Sequence, residues 1–183
     1  PEFNDGCKFL SSKSDYKWVW PTGEELMFRV AKKRKDYWLY HGQEFPFIGW
    51  NELTKHPTGE LYDKMMSTNR SSFIPELHTP RRPDGSYDTP DGQPLPNIPL
   101  EVFSTTNPHG PGHNWVKRRF ISCAASGEVV RRTSTVFNPK TQQDEEITKT
   151  QVAIFGTYRE NIYLDAKYMA ELDRICANNK NLR

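Results

Sequence analysis

This chain lacks a strong charge bias. Its 25 lysines and arginines stand against 23 acids, a net charge of +2, so no global field calls for a nucleic-acid partner. Cysteine is scarce. Cys7, Cys123 and Cys176 are odd in number and far apart. That excludes a disulfide framework and the paired spacings of a zinc site, and leaves reduced thiols in a reducing cytosol as the simplest reading. No apolar run approaches the ~18 residues needed to span a membrane, and no signal peptide is visible. No glycine is followed by lysine, so the phosphate-binding loop G-x-x-x-x-G-K-[ST] is absent. The first residue is Pro1, not methionine, which suggests a processed chain or a fragment.

Apolar residues make up 35% of the chain and aromatics 13%, enough for one domain with a modest core. Basic residues cluster at Arg29 to Lys35, Lys117 to Arg119, and Arg131 with Arg132. Each cluster by itself reads as a solvated face.

Residues 16–30 read as a hairpin. Tyr16, Trp18 and Trp20 alternate, Pro21-Thr22-Gly23 turns the chain, and Leu26, Phe28 and Val30 alternate again. A short helix or turn fits residues 32–40, closed by Gly42. Phe45 to Trp50 is almost wholly apolar, as in a strand buried on both faces. Residues 58–68 read as a helix with Leu61 and Met65 inward. Residues 74–99 hold seven prolines with Asp84-Gly85 and Asp91-Gly92, which predicts a long loop. A second strand is expected over Leu100 to Thr106, then a helix from about His113 to Ile121, with Trp115 as its core anchor. Strands are expected at 128–137 and 147–155 around a turn at Asn138-Pro139-Lys140. Asp165 is placed to cap a last helix through Cys176, with Tyr168, Met169, Leu172 and Ile175 on one face. Strands and helices interleave, with an antiparallel addition, so the expected class is α/β.

Two strand ends carry the chemistry. One is Phe47-Ile48-Gly49-Trp50-Asn51-Glu52; the other is Phe103-Ser104-Thr105-Thr106-Asn107. Open α/β sheets bind ligands beyond the carboxyl ends of their strands. An apolar strand ending in an acidic pair suits magnesium binding and orientation of an attacking water; here the first position is Asn51, whose neutral amide is a poorer ligand for a hard cation than a carboxylate. A small polar tip on a neighbouring strand can sense the phosphate. Parallel strands would bring Glu52 within about 10 Å of Thr106 or Asn107.

Gln43 to Thr54 resembles the second nucleotide motif of tailed-phage large terminases, the DNA-packaging ATPases. Thr105 to Ile121, with its run Thr-Thr-Asn-Pro-His-Gly-Pro-Gly-His-Asn-Trp-Val-Lys-Arg-Arg-Phe-Ile, is similar to that family's coupling motif and following helix. Phe155 to Asp165 is similar to the segment that ends in N-P-Y-L-D. The matches span roughly residues 16–176 in the family's order.

The resemblance implies a partial P-loop (ASCE-type) ATPase core, with a mostly parallel sheet, flanking helices and an antiparallel addition. Residues 1–157 would be the C-terminal part of the ATPase domain, with 74–99 an insertion loop. Residues 158–183 would end that domain or link it to a nuclease domain. The phosphate loop would lie upstream.

The implied activity is ATP hydrolysis with Mg2+, driving viral double-stranded DNA into procapsids. Glu52 would be the catalytic residue, Asn51 the metal-side residue in place of the usual aspartate, and Thr105, Thr106 and Asn107 the coupling residues. Arg70 is a candidate arginine finger. Lys117, Arg118 and Arg119 are candidate DNA or inter-subunit contacts. The implied partners are double-stranded DNA, the portal protein, the small terminase subunit and further copies in a ring. The implied place is the host cytoplasm at the procapsid portal, with no membrane. A fragment without the phosphate loop is expected to be inactive alone. His109 stands where the family usually has glycine. A helicase-like remodelling ATPase and a catalytically impaired scaffold are the rival readings.

Overall fold

A computed structural model describes residues 6–12, 15–21, 23–139 and 141–178. The chain divides into two compact units, Pro1–His113 and Asn114–Arg183.

The first unit opens with three short antiparallel strands, β1 (Lys8–Leu10), β2 (Lys17–Val19) and β3 (Glu25–Met27), in the order β1-β2-β3. The β2–β3 pair is the expected hairpin. β1 was not expected, and it adds the edge on which Phe9 meets the rings of Tyr16 and Trp18, each at 5.0 Å. Gly23 closes the turn by donating to the Trp20 carbonyl at 3.0 Å, with φ +100°; only glycine takes that backbone freely. Thr22 lies outside the described residues.

A 3₁₀ helix then runs over Arg34–Leu39. Asp36 starts it by accepting from the Lys32 and Lys33 amides at 2.8 and 2.9 Å. Those two amides hold its carboxyl below the usual range. Tyr37 and Tyr40 turn inward from this helix and are buried. α1 (Glu60–Met65) packs below, and its last turn tightens into a 3₁₀ helix, Met66–Thr68. The core of the unit is Tyr37, Tyr40, Trp50, Leu53, Leu61, Tyr62 and Met65. Each large side chain buried this way stabilises the fold by about 1.5–3 kcal/mol. Leu61 and Met65 point inward as their spacing predicts. Met66 is only half-buried, because the 3₁₀ turn rotates it off the helix face.

β4 (Phe47–Trp50) and β5 (Glu101–Ser104) pair in parallel, with Ile48 opposite Val102 and Trp50 opposite Ser104. Asn69 braces the entry to β4 by donating from Nδ2 to the Phe45 and Pro46 carbonyls at 3.0 and 2.9 Å. After α1, within residues 74–99, the chain makes one turn of helix, α2 (Pro75–His78), and a single bridge between Arg81 and Tyr87. The rest of 74–99 is loop, as its prolines predict.

The second unit is entered through α3 (His113–Val116) and a π-helical turn, Lys117–Ile121. Val116 is the buried residue of this segment and Trp115 is half-buried against Phe120, so Val116 takes the anchoring role expected of Trp115. β6 (Val129–Asn138) and β7 (Gln143–Val152) form one long antiparallel ribbon. β7 begins earlier than its apolar residues suggest. Gln142 takes a left-handed backbone, φ +55°, and turns the chain at once, so Asp144, Glu145 and Glu146 lie in the strand. Lys140, expected in that turn, lies outside the described residues. α4 (Ala166–Asn178) follows. Asp165 caps it by accepting from the Tyr168 amide at 2.8 Å. Met169 and Leu172 are half-buried, whereas Tyr168 and Ile175 are exposed.

The expected fold class is corrected by this arrangement. The described residues hold a three-stranded antiparallel sheet, a two-stranded parallel pair and a two-stranded antiparallel ribbon. Among the described residues there is no mostly parallel P-loop core. Two features account for this. The outer strands find partners at once through short turns, so β2–β3 and β6–β7 close locally. The parallel pair is also covered on one face only. Trp50 is buried there, while Phe47 and Phe103 on the opposite face are 51% and 60% exposed. Burial on both faces of residues 45–50, which the apolar run predicts, does not occur. Among the described residues no helix is long and apolar enough to cross a membrane.

Candidate functional site

The parallel pairing sets both strand ends on one side of the first unit. It continues past the strands themselves: the Thr105 amide donates to the Trp50 carbonyl at 2.9 Å, and the Leu53 amide donates to the Thr105 carbonyl at 3.0 Å. Between those two bonds the chain must bulge, and Glu52 takes the strain. Its backbone is left-handed, φ 58° and ψ 55°, and it starts a 3₁₀ turn over Leu53–Lys55. A side-chain-bearing residue in that conformation costs about 1–2 kcal/mol. Such strain persists only where its surroundings impose it, and it clusters at functional sites.

The polar tips converge there. Asn107 Nδ2 donates to Glu52 Oε1 at 3.2 Å. Thr105 Oγ1 donates to Asn51 Oδ1 at 3.1 Å. Thr106 Oγ1 accepts from the Thr54 amide at 3.0 Å. Asn51, Thr105, Thr106 and Asn107 are exposed and Glu52 is half-buried. The five residues singled out on the two strand ends thus form one group. Parallel β4 and β5 meet the geometric expectation, and the Glu52–Asn107 contact is much shorter than the 10 Å it allowed.

The other candidates lie elsewhere. Arg70 ion-pairs with Glu44, Nε to Oε1 3.5 Å, and donates to the Gly42 carbonyl at 3.3 Å. Its guanidinium therefore has ties within its own unit. Lys117, Arg118 and Arg119 fall on the π-helical turn of the second unit, with Arg119 over the Phe120 ring. A shallow depression of ≈ 330 Å³ is lined by Glu44, Pro46, Ser71, Ser72, Phe73 and His78, and none of the strand-end residues borders it.

Leu53 and Thr54 form the floor of the site, at 1% and 2% exposure. His56 stands at the end of the 3₁₀ turn, edge-on to Trp50 at 5.2 Å between ring centres. Burial there pulls its pKa below the ordinary histidine value. Thr54 is the residue beneath the strand ends to which the sequence reading assigns no role. Its signal is steric: Gly110 approaches so closely that a Cβ there would lie 2.7 Å from the Thr54 carbonyl oxygen. His109 contributes through its backbone, since its carbonyl accepts from Thr54 Oγ1 at 2.6 Å. A backbone contact is indifferent to histidine in place of glycine.

As a cation site, the tips offer one carboxylate and one amide oxygen. Magnesium keeps several waters and takes few protein ligands besides substrate phosphates, and it accepts only oxygen donors of this kind. Glu52 and Asn51 therefore fit as partial ligands. They do not make a closed cage, and among the described residues no three His, Cys, Asp or Glu side chains gather as a metal-binding group.

Comparison of the chain with family models, with curated proteins and with solved structures finds no match.

Proposed function

We propose that this chain supplies the hydrolytic and coupling residues of an ATP-driven motor that packages viral double-stranded DNA, as the large terminase subunit does. The observation that supports this most is the Glu52–Asn107 contact at the carboxyl ends of two parallel strands. In such a motor Glu52 orients the water that attacks the γ-phosphate, its free carboxylate oxygen turned to the water. Asn107 and Thr105 occupy the positions that register whether the phosphate is present. Magnesium, when bound beside Asn51 and Glu52, neutralises charge on the phosphates. The grip on the β- and γ-phosphates belongs to a glycine-rich loop with lysine that these 183 residues do not contain. The portal protein, the small terminase subunit and further copies of the chain are the partners that follow from this reading.

The test is ATP hydrolysis by the whole gene product and by this 183-residue chain. The whole product should hydrolyse ATP, and Glu52→Gln should lower kcat by about 10²–10⁴-fold, the usual range for a general base. The chain alone should release phosphate no faster than its own Glu52→Gln variant. Whole-product activity indifferent to Glu52 would defeat the proposal.

One observation favours a second reading, a scaffold that has lost turnover. The metal-side position is an amide, Asn51, already engaged by Thr105. If that reading holds, the whole product is inactive and Asn51→Asp restores hydrolysis.

A further inference from the structure

We infer that Thr54 is the positioning residue that holds Asn107 against Glu52. Its side chain touches neither substrate nor the reacting atoms; it acts through Asn107.

All three polar atoms of Thr54 are spent on the segment 106–112. Its amide donates to Thr106 Oγ1 at 3.0 Å. Its hydroxyl donates to the His109 carbonyl at 2.6 Å and lies 3.1 Å from the Asn107 carbonyl. Thr106 Oγ1 donates back to Thr54 Oγ1 at 2.9 Å. The Thr54 carbonyl accepts from the Gly112 amide at 2.8 Å. A residue placed only to fill space would not need this arrangement. Valine has nearly the same shape and would leave both carbonyls without their shared donor.

The bonds close a ring. From Glu52 the backbone runs through Leu53 to Thr54. The Thr54 hydroxyl reaches the Asn107 carbonyl, and the Asn107 amide returns to the Glu52 carboxylate. Asn107 is therefore held at both ends, its backbone by Thr54 and its side chain by Glu52. The hydroxyl has one proton, which it shares as a bifurcated donor between the His109 carbonyl at 2.6 Å and, more weakly, the Asn107 carbonyl at 3.1 Å. Gly110 makes this possible, since any Cβ there would collide with the Thr54 backbone. A movement of Asn107 relative to Glu52 must then be accompanied by movement of 109–112, or it must break the Thr54 bonds. The consequence for hydrolysis rests on the function proposed above; the positioning does not.

The experiment has two arms. In the 183-residue chain, the side-chain amide resonances of Asn107 are followed by NMR while Glu52 is changed to Gln. They should shift in the wild-type background and in Thr54→Ser, which keeps the hydroxyl. They should not respond in Thr54→Val. Should Thr54→Val fail to fold, Thr106→Val carries this arm. It strips the exposed partner from the Thr54 amide and hydroxyl, and the Asn107 response should shrink at least severalfold. An undiminished response in a folded valine variant overturns the inference, and so does an equal loss in the serine and valine variants at Thr54.

In the whole gene product, Thr54→Val should lower kcat on the order of tenfold to a hundredfold with KM for ATP little changed, as expected for a misplaced group rather than lost binding. Thr54→Ser should restore most of it. A wild-type kcat in Thr54→Val overturns the role in turnover. If Glu52→Gln itself leaves hydrolysis unchanged, the proposed function fails, while the NMR arm still decides whether Thr54 positions Asn107.

Discussion

The Asn107 side-chain amide lies 3.2 Å from the Glu52 carboxylate across 55 residues of sequence. Nothing local brings them together. The parallel register of β4 and β5 does, with the bonds that carry the pairing to Thr105.

The close approach at Gly110 gives the first prediction. Gly110→Ala would put a Cβ 2.7 Å from the Thr54 carbonyl oxygen at a backbone φ of +123°. Both the clash and the conformation are unfavourable, and the atom it meets is backbone, which cannot swing aside. The variant should lose about 1–3 kcal/mol of stability, measured as a lower denaturant midpoint at unchanged slope. Gly85→Ala, also at positive φ but with nothing within 4 Å of the added Cβ, should show only the smaller backbone cost.

His56 sets a pH dependence. Burial holds its folded-state pKa below the unfolded value, so the unfolded chain binds the proton more readily. The contribution is fully present above about 6.5, the ordinary histidine value. It is lost as pH falls through the lower folded value. Unfolding midpoints should therefore drop with pH below about 6.5, and His56→Gln should flatten that part of the profile. A profile unchanged by His56→Gln would show that other groups set it.

Much of the first unit is legible in the sequence because its signals are local. The Trp18/Leu26 alternation, the spacing of Leu61 and Met65, and the proline-rich stretch 74–99 each report on their own neighbourhood. The two strand ends are legible because an apolar run followed by Asn51-Glu52 can end in few ways. The sheet is not legible. Whether Phe47 and Phe103 are covered depends on what lies across them, and apolarity alone cannot tell a two-faced strand from a one-faced one. The expected start of β7 at residue 147 is late because its apolar residues begin at Ile147, whereas a ribbon exposed along nearly its whole length accepts charge at Asp144 to Glu146. Thr54 carries no signal in its own identity. Its role lies in what Gly110 permits opposite it.

Asn51 gives a third prediction. Thr105 Oγ1 can donate to a carboxylate as well as to an amide, so Asn51→Asp should fold normally. A carboxylate adds charge where an amide adds only a dipole, and hard cations prefer it. In the whole gene product the magnesium concentration for half-maximal ATPase rate should fall. An unchanged or raised requirement would place Asn51 away from the metal.

The most direct measurement is a double-mutant cycle on kcat in the whole gene product, using Glu52→Gln, Asn107→Ala and the pair together. If the two side chains act as one unit on the attacking water, their effects are strongly non-additive. The double variant should then be no slower than Glu52→Gln alone, with a coupling on the order of 0.5–3 kcal/mol. Strictly additive losses, or a kcat that neither change disturbs, would contradict the account.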